Sequence, residues 1–237
     1  MKYSIAHITD LHLDEAFPKK YGVDPQKNWR QVLRELSSKA IDEVVLGGDL
    51  GTLEALPALF EDLVAYPVTI SLGNHDVANK KEIAHLMHYD YTEKTFYAAQ
   101  DRVAFKVILL DTSTGYLPTE QLGWLKEALV TEKPVLIFMH YPVLSVDTYV
   151  DRKHSLKNRK EVLSILKESK QDIHLFSGHY HCEAVQQEEN VIQYVTPAVA
   201  HQFEQHTTTL QVTNTTFGYR LITLDDINLH TEVVYCT

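Results

Sequence analysis

The sequence predicts an α/β fold in which two mixed β-sheets pack together with helices outside them. Three observations carry this. Up to residue 181, short apolar runs alternate with amphipathic helical stretches, which implies parallel strands joined by right-handed crossovers. Beyond residue 183 the helices give way to a meander of short strands, which adds antiparallel sheet. No tandem repeat, low-complexity tract or linker separates the two halves, so residues 1–237 are expected to form a single domain.

The chain opens on a strand at 3–9 that runs into Asp10-Leu11-His12-Leu13, followed by a polar loop at 14–24. Pro25 suits a first helical turn with Asp24 as its N-cap, and Trp29, Val32, Leu33 and Leu36 continue it as an apolar stripe. A second strand, 43–46, ends in Gly47-Gly48-Asp49, and a helix is expected over 53–65 despite Pro57. The β-branched run 67–71 is a third strand that leads into Leu72-Gly73-Asn74-His75-Asp76, with a short helix at 79–87. Two antiparallel strands, 95–99 and 103–110, meet at a turn over 100–102. A helix at 118–130 carries Leu122, Trp124, Leu125 and Leu129, and a buried strand at 134–139 ends at His140. Residues 145–158 are polar and irregular, 160–168 helical, and the strand 173–176 ends in Ser177-Gly178-His179-Tyr180-His181. The meander comprises 183–187, 191–195, 207–213, 217–223 and 230–235, with turns at 188–190 and 225–228.

Five strands are thus each followed at once by metal-ligating side chains: Asp10 and His12, Asp49, Asn74 beside His75, His140, and His179 with His181. Carboxyl ends of parallel strands share one rim, where ligands bind, so five loops are expected to converge. Any one of these residues alone could be a cap or a turn; five together are not explained that way. Three oxygen donors and four imidazoles, with no thiolate, suit Mn, Fe, Zn or Co and argue against Ca. Seven ligands exceed one tetrahedral site, whereas two metals bridged by one carboxylate would use them all. Such pairs stabilise the attacking and leaving oxygens of a displacement at phosphorus.

Composition removes several alternatives. With 44% hydrophobic and 23% charged residues the chain is that of an ordinary globular protein. Its formal charge of −10 repels nucleic-acid phosphates, so nucleic acid is disfavoured as a partner. No signal-peptide pattern and no apolar run of roughly 18 residues is present, so no membrane association and a cytoplasmic location are expected. Cys182 and Cys236 belong to no CxxC pair and are expected to be reduced structural thiols. His7, His85, His88 and His174 lie inside expected elements and are assigned to packing or solvent, and His154 and Asn158 to an exposed loop.

Asp-x-His at 10–12, Gly-Asp at 48–49, Gly-Asn-His-Asp at 73–76, the lone His140 and Gly-His-x-His at 178–181, in this order, resemble the calcineurin-like metallophosphoesterase superfamily. The resemblance implies a four-layer αββα sandwich and a dinuclear centre of divalent or trivalent transition metals. Asp10, His12, Asp49 and His181 would hold one metal; Asp49, Asn74, His140 and His179 the other, with Asp49 bridging. His75 matches the family's proton donor, which Asp76 would orient. Looser matches at 22–25, 117–125, 140–142, 196–198, 202–203 and 218–221 are similar to the bacterial cyclic-AMP phosphodiesterase type. Tyr141, Tyr180, His201 and Gln202 are candidates for the pocket wall. Two positions depart from related patterns. The family often carries an acid or amide three residues after the bridging Asp, where this chain has Thr52, which puts metal tuning in doubt. Serine/threonine phosphatases of the superfamily usually have Arg before Gly-Asn-His and Glu after it; Leu72 and Asp76 stand there instead.

The expected function is hydrolysis of a small-molecule phosphodiester, a 3′,5′-cyclic nucleotide such as cyclic AMP, by in-line attack of a hydroxide bridging the two metals. The alternatives are a phosphomonoesterase, a nuclease or a lipid-precursor pyrophosphatase of the same chemistry, and a non-catalytic metal-bearing scaffold. A homodimer is left open.

Overall fold

The computed structural model describes residues 2–92, 96–225 and 228–236. In chain order its elements are β1 (Lys2–Ile8), α1 (Ala16–Lys20), α2 (Pro25–Ser37), β2 (Glu43–Leu46), α3 (Leu56–Asp62), β3 (Val68–Ile70), α4 (Lys80–Leu86), β4 (Ala98–Asp101), β5 (Lys106–Leu109), α5 (Thr119–Ala128), β6 (Val135–Phe138), α6 (Tyr149–His154), α7 (Arg159–Lys167), β7 (Ile173–Ser177), β8 (Ala184–Glu188), β9 (Val191–Val195), β10 (Gln202–Phe203), β11 (Val212–Thr213), β12 (Phe217–Asp225) and β13 (Asn228–Cys236). One sheet runs β13-β12-β1-β2-β3 and the other β4-β5-β6-β7-β9-β8; β10 and β11 pair separately. The first is parallel across β1-β2-β3 and the second across β5-β6-β7-β9, with antiparallel strands at the edges.

Period-two alternation builds the layers. Ile5, Val45, Leu136, Phe138, Phe176 and Ile222 face the space between the sheets. Their neighbours Ala6, Ile8, Val44 and Leu46 pack outward on Trp29, Val32 and Leu36 of α2, Leu56 and Leu59 of α3, and Ile83 of α4. On the other side Val135, Ile137, Ile173 and Leu175 pack on Leu122 and Leu125 of α5 and on Val162 and Leu166 of α7. The result is two mixed sheets flanked by helices, four layers in the order αββα. Asp24 caps α2, accepting the Lys27 N–H at 3.1 Å, and the Trp29 indole donates to Asp62 at 2.8 Å, which ties α2 to α3.

Several local expectations are corrected. The segment 14–24 holds the short helix α1, and 145–158 holds α6, whose N-cap Thr148 accepts the Asp151 N–H. The helix expected over 53–65 is a 3₁₀ turn at Leu53–Ala55 followed by α3, because Pro57 supplies no N–H to an earlier carbonyl. The hairpin turn falls after Asp101, which pairs with Lys106, so 101–106 rather than 100–102 reverse the chain. Thr95 of the expected strand 95–99, and residues 226–227 of the expected 225–228 turn, lie outside the described residues. Of the strand expected at 207–213, only Val212–Thr213 pairs.

Candidate metal centre

The loops after β1, β2, β3, β6 and β7 meet at one rim, and backbone bonds stitch them together. Asp10 N–H donates to Gly48 O at 2.9 Å, His12 N–H to Asp49 O at 3.0 Å, Gly178 N–H to His140 O at 3.1 Å and, across the sheets, Ala200 N–H to Asp10 O at 3.0 Å. This lattice holds five non-glycine residues in the left-handed region: Asp10 (φ 54°), His12 (46°), Asp49 (55°), His179 (66°) and His181 (45°). Each conformation costs about 1 kcal/mol or more, so strain is concentrated where the loops converge. Two glycines permit the approach. A Cβ on Gly73 would lie 2.1 Å from Asp49 Oδ1, and one on Gly178 2.0 Å from Thr9 Oγ1.

Two groups of buried ligand atoms result, Asp10–His12–His181 and Asp49–His140–His179, each with its ligand atoms within 4.8 Å of one another. His140, His181 and His179 each have the outer nitrogen committed to a backbone carbonyl, which fixes the inner one. His140 Nδ1 donates to Gly47 O at 2.8 Å, His181 Nδ1 to His201 O at 2.9 Å, and His179 Nε2 to His154 O at 2.9 Å. His12 Nδ1 lies 3.0 Å from Glu15 Oε2. His12 Nε2 and His181 Nε2 lie 3.1 Å apart, close enough to share a cation. Asp49 faces both groups, its Oδ2 lying 3.4 Å from His140 Nε2 and 3.8 Å from His12 Nε2. Asn74 Oδ1 and His140 Nε2 are buried and make no hydrogen bond among the described residues, as donors reserved for a cation would be. Burial opposes charge on His140, but Asp49 and Asp10 outweigh it and push the imidazole up to about 10. Donor set, tautomers and negative field all fit two transition-metal ions.

The residues after Asn74 divide differently from expectation. Asp76 is fully buried and does not orient His75. Its Oδ2 accepts the Asp49 N–H at 2.7 Å and the Gly73 N–H at 2.8 Å, and its Oδ1 accepts the Leu50 N–H at 2.9 Å. It therefore clamps the Asp49 loop onto the Asn74 loop. His75 is held instead by Glu15, whose Oε2 lies 2.9 Å from His75 Nδ1, with His75 Nε2 4.0 Å from Asp49 Oδ2. The contact with Glu15 is the largest influence on His75 and raises it to about 9 against burial.

A cavity of about 330 Å³ opens over these groups, walled by Phe17, Tyr141, Tyr149, Val150, His201 and Phe203, among others. Of the four expected wall residues, Tyr141 and His201 are present, the Tyr141 ring 3.9 Å from that of His179 and the His201 ring 4.6 Å from that of His181. The other two are corrected. Tyr180 is fully buried and its hydroxyl donates to Asp151 at 2.5 Å. The Gln202 amide is spent on the backbone of Ala198 and Thr216. His154 reaches the site, through its carbonyl and as part of the wall. Asn158 bonds to the Leu117 backbone. His7 packs between the sheets with Nδ1 on Thr196 Oγ1 at 2.8 Å, and His85 and His88 are exposed. Phe17, Glu15 and Tyr149 escape the sequence reading because no motif marks them, and only the path of α1 and α6 brings them to the rim; Phe203, within the matched stretch 202–203, joins them from β10.

The calcineurin-like phosphoesterase family profile matches residues 3–183. A protein of Fibrobacter succinogenes named "Probable cyclic nucleotide phosphodiesterase" is 30% identical, over 98% of this chain and 93% of its own. A 3′,5′-cyclic-nucleotide phosphodiesterase of Nostoc sp. is 29% identical, over 93% of this chain and 87% of its own. Among solved structures, a dimetal phosphatase of Danio rerio superposes with a TM-score of 0.66 at 15% identity, covering 98% of each chain, which supports the fold. With the profile spanning every loop that carries a ligand group, the chain belongs to the calcineurin-like phosphoesterase family, and is a metal-dependent phosphoester hydrolase.

Proposed function

We propose that this enzyme is a dinuclear phosphodiesterase acting on a 3′,5′-cyclic nucleotide such as cyclic AMP. The observation that carries the reading is the pair of ligand groups flanking Asp49 at the floor of a cavity whose wall is largely ring and aliphatic side chains. Asp10, His12, Asp49 and His181 would hold one metal, and Asp49, Asn74, His140 and His179 the other. Two ions bound there would supply Lewis acidity at the phosphoryl oxygens and would lower the pKa of water toward neutral pH. His75, partly exposed and 4.0 Å from Asp49 Oδ2, carries a proton on Nε2 for the leaving alkoxide. Asp76 keeps the Asp49 and Asn74 loops in register. The Phe17, His201 and Phe203 rings stand 5.3 and 5.1 Å apart beside the His181 side of the centre, a surface suited to a nucleobase. The names of the relatives from Fibrobacter and Nostoc support the same substrate class. A single domain and a cytoplasmic location belong to this reading; among the described residues no helix is long and apolar enough to cross a membrane.

A substrate panel tests it. Metal-reconstituted protein is assayed on cyclic AMP, 2′,3′-cyclic AMP, bis(p-nitrophenyl) phosphate and p-nitrophenyl phosphate. Diester turnover, with cyclic AMP among the substrates, is expected. Monoester turnover far above every diester would overturn the cyclic-nucleotide reading and leave the metal centre standing.

A further inference from the structure

Glu15 sits at the N-cap position of α1, where a carboxylate ordinarily accepts a backbone N–H of the first turn, yet it makes no such bond. One of its oxygens, Oε2, instead meets two imidazoles, His12 Nδ1 at 3.0 Å and His75 Nδ1 at 2.9 Å. The side chain is 15% exposed, the His12 side chain 6% and the His75 side chain 44%. The two rings stand edge to face with centroids 4.7 Å apart. Burial works against the charge on Glu15, but the close contacts with His12 and His75 outweigh it and bring the carboxyl down to about 2.

We infer that Glu15 is a positioning residue that sets a metal-site histidine and the proton-bearing histidine from a single carboxylate oxygen; this rests on the proposed reading of His12 and His75. A carboxylate oxygen about 3 Å from Nδ1 favours a proton on that nitrogen and leaves Nε2 to face the other neighbour. For His12 that places the Nε2 lone pair toward Asp10, Asp49 and His181, at 3.9, 3.8 and 3.1 Å. For His75 it places Nε2 toward Asp49 Oδ2. Rotation of His75, the exposed member, would break its ion-pair contact with Glu15, so the acid restrains a ring that otherwise has solvent on one side. Because both contacts end on Oε2, the proton-bearing ring is held in register with the ligand group it serves. Glu15 touches neither reacting atoms nor the inward ligand positions, so its effect passes through the two rings.

The test compares wild type, Glu15→Gln, Glu15→Ala, His75→Ala and the Glu15→Ala/His75→Ala double variant, all loaded with zinc. Long-range ¹H–¹⁵N spectra of the imidazoles at neutral pH give a readout independent of turnover: in wild type His12 should carry Nδ1–H and His75 protons on both nitrogens, and in Glu15→Ala His75 should become a neutral mixture of tautomers. Competition with a chelator should show zinc affinity at one of the two sites reduced roughly 10–100-fold, the usual effect of losing a group that supports a ligand. On methyl aryl phosphates at saturating zinc, Glu15→Ala should lower kcat by about 10–100-fold for the least acidic phenol and much less for p-nitrophenol. In the His75→Ala background the same change should cost under about threefold, since coupled residues are not additive. Glu15→Gln, which keeps an oxygen acceptor, should fall between wild type and Glu15→Ala. Unchanged protonation of the two rings, a loss equal across leaving groups that multiplies with His75→Ala, or a third zinc that binds wild type and is lost in Glu15→Ala would each overturn the assignment. Inactivity of the wild type on every diester would overturn the proposed function alone, because ring protonation and zinc affinity are still measured.

Discussion

Replacing Asp76 by Asn separates a clamp from a catalytic partner. The carboxylate accepts three backbone N–H groups, from Asp49 and Gly73 on Oδ2 and from Leu50 on Oδ1. An asparagine oxygen can take the Oδ2 place, but its amide nitrogen then faces the Leu50 N–H, donor against donor. A buried donor left unsatisfied costs about 1–3 kcal/mol. The two surviving bonds pass from a charged to a neutral acceptor and lose roughly 1 kcal/mol each. Part of this is offset, because burial and the nearby Asp49 charge already raise Asp76 to about 6 and make its ionised form costly. The expected net loss is about 2–4 kcal/mol, a large share of the roughly 5–15 kcal/mol that holds a domain together. Urea unfolding of chelator-treated protein measures it, and the midpoint should fall with the slope unchanged. Any loss of kcat should be flat across leaving groups, since Glu15 still holds His75. An unchanged midpoint together with a rate loss that tracks leaving-group acidity would refute this reasoning and make Asp76 the partner of His75.

His75→Ala should keep both metals, by elemental analysis, and lose roughly 10²–10⁴ in rate on a poor leaving group but far less on p-nitrophenolate. Asp49→Ala should weaken metal binding at both sites, whereas His12→Ala should weaken one, as chelator competition will show. Burial pushes the Cys182 thiol up to about 12 and the Cys236 thiol up to about 11. Both should therefore resist iodoacetamide at pH 8 in the folded protein and react once it is unfolded, by mass spectrometry.

The strands and their terminal residues were legible because each signal is local. A short apolar run such as 135–138, ending in His140, carries its own period and stop. The same holds for the Asp24 cap and the Trp29 stripe of α2. What escaped was short or non-local. Helix α1 spans five residues and contains Pro18, and α6 spans six, four of them charged or histidine, so neither completes an apolar period. Sequence adjacency suggested that Asp76 serves His75, but the turn sends one side chain into the interior and leaves the other 44% exposed. Glu15 lies 60 positions from His75 in a segment that reads as a polar loop, and only the return of α1 to the rim gives it a role. Thr52 had put metal tuning in doubt; the carboxylate that meets the His12 ring comes from Glu15 on another loop.

Metal stoichiometry decides whether the five strand ends around Asp49 hold a two-metal centre. Purified protein is stripped with chelator, reconstituted with zinc or manganese, freed of excess ion and analysed for metal and protein together. Two ions per chain are expected for wild type, with marked loss in Asp49→Ala. A single ion or none at saturation, or full occupancy in Asp49→Ala, would contradict it.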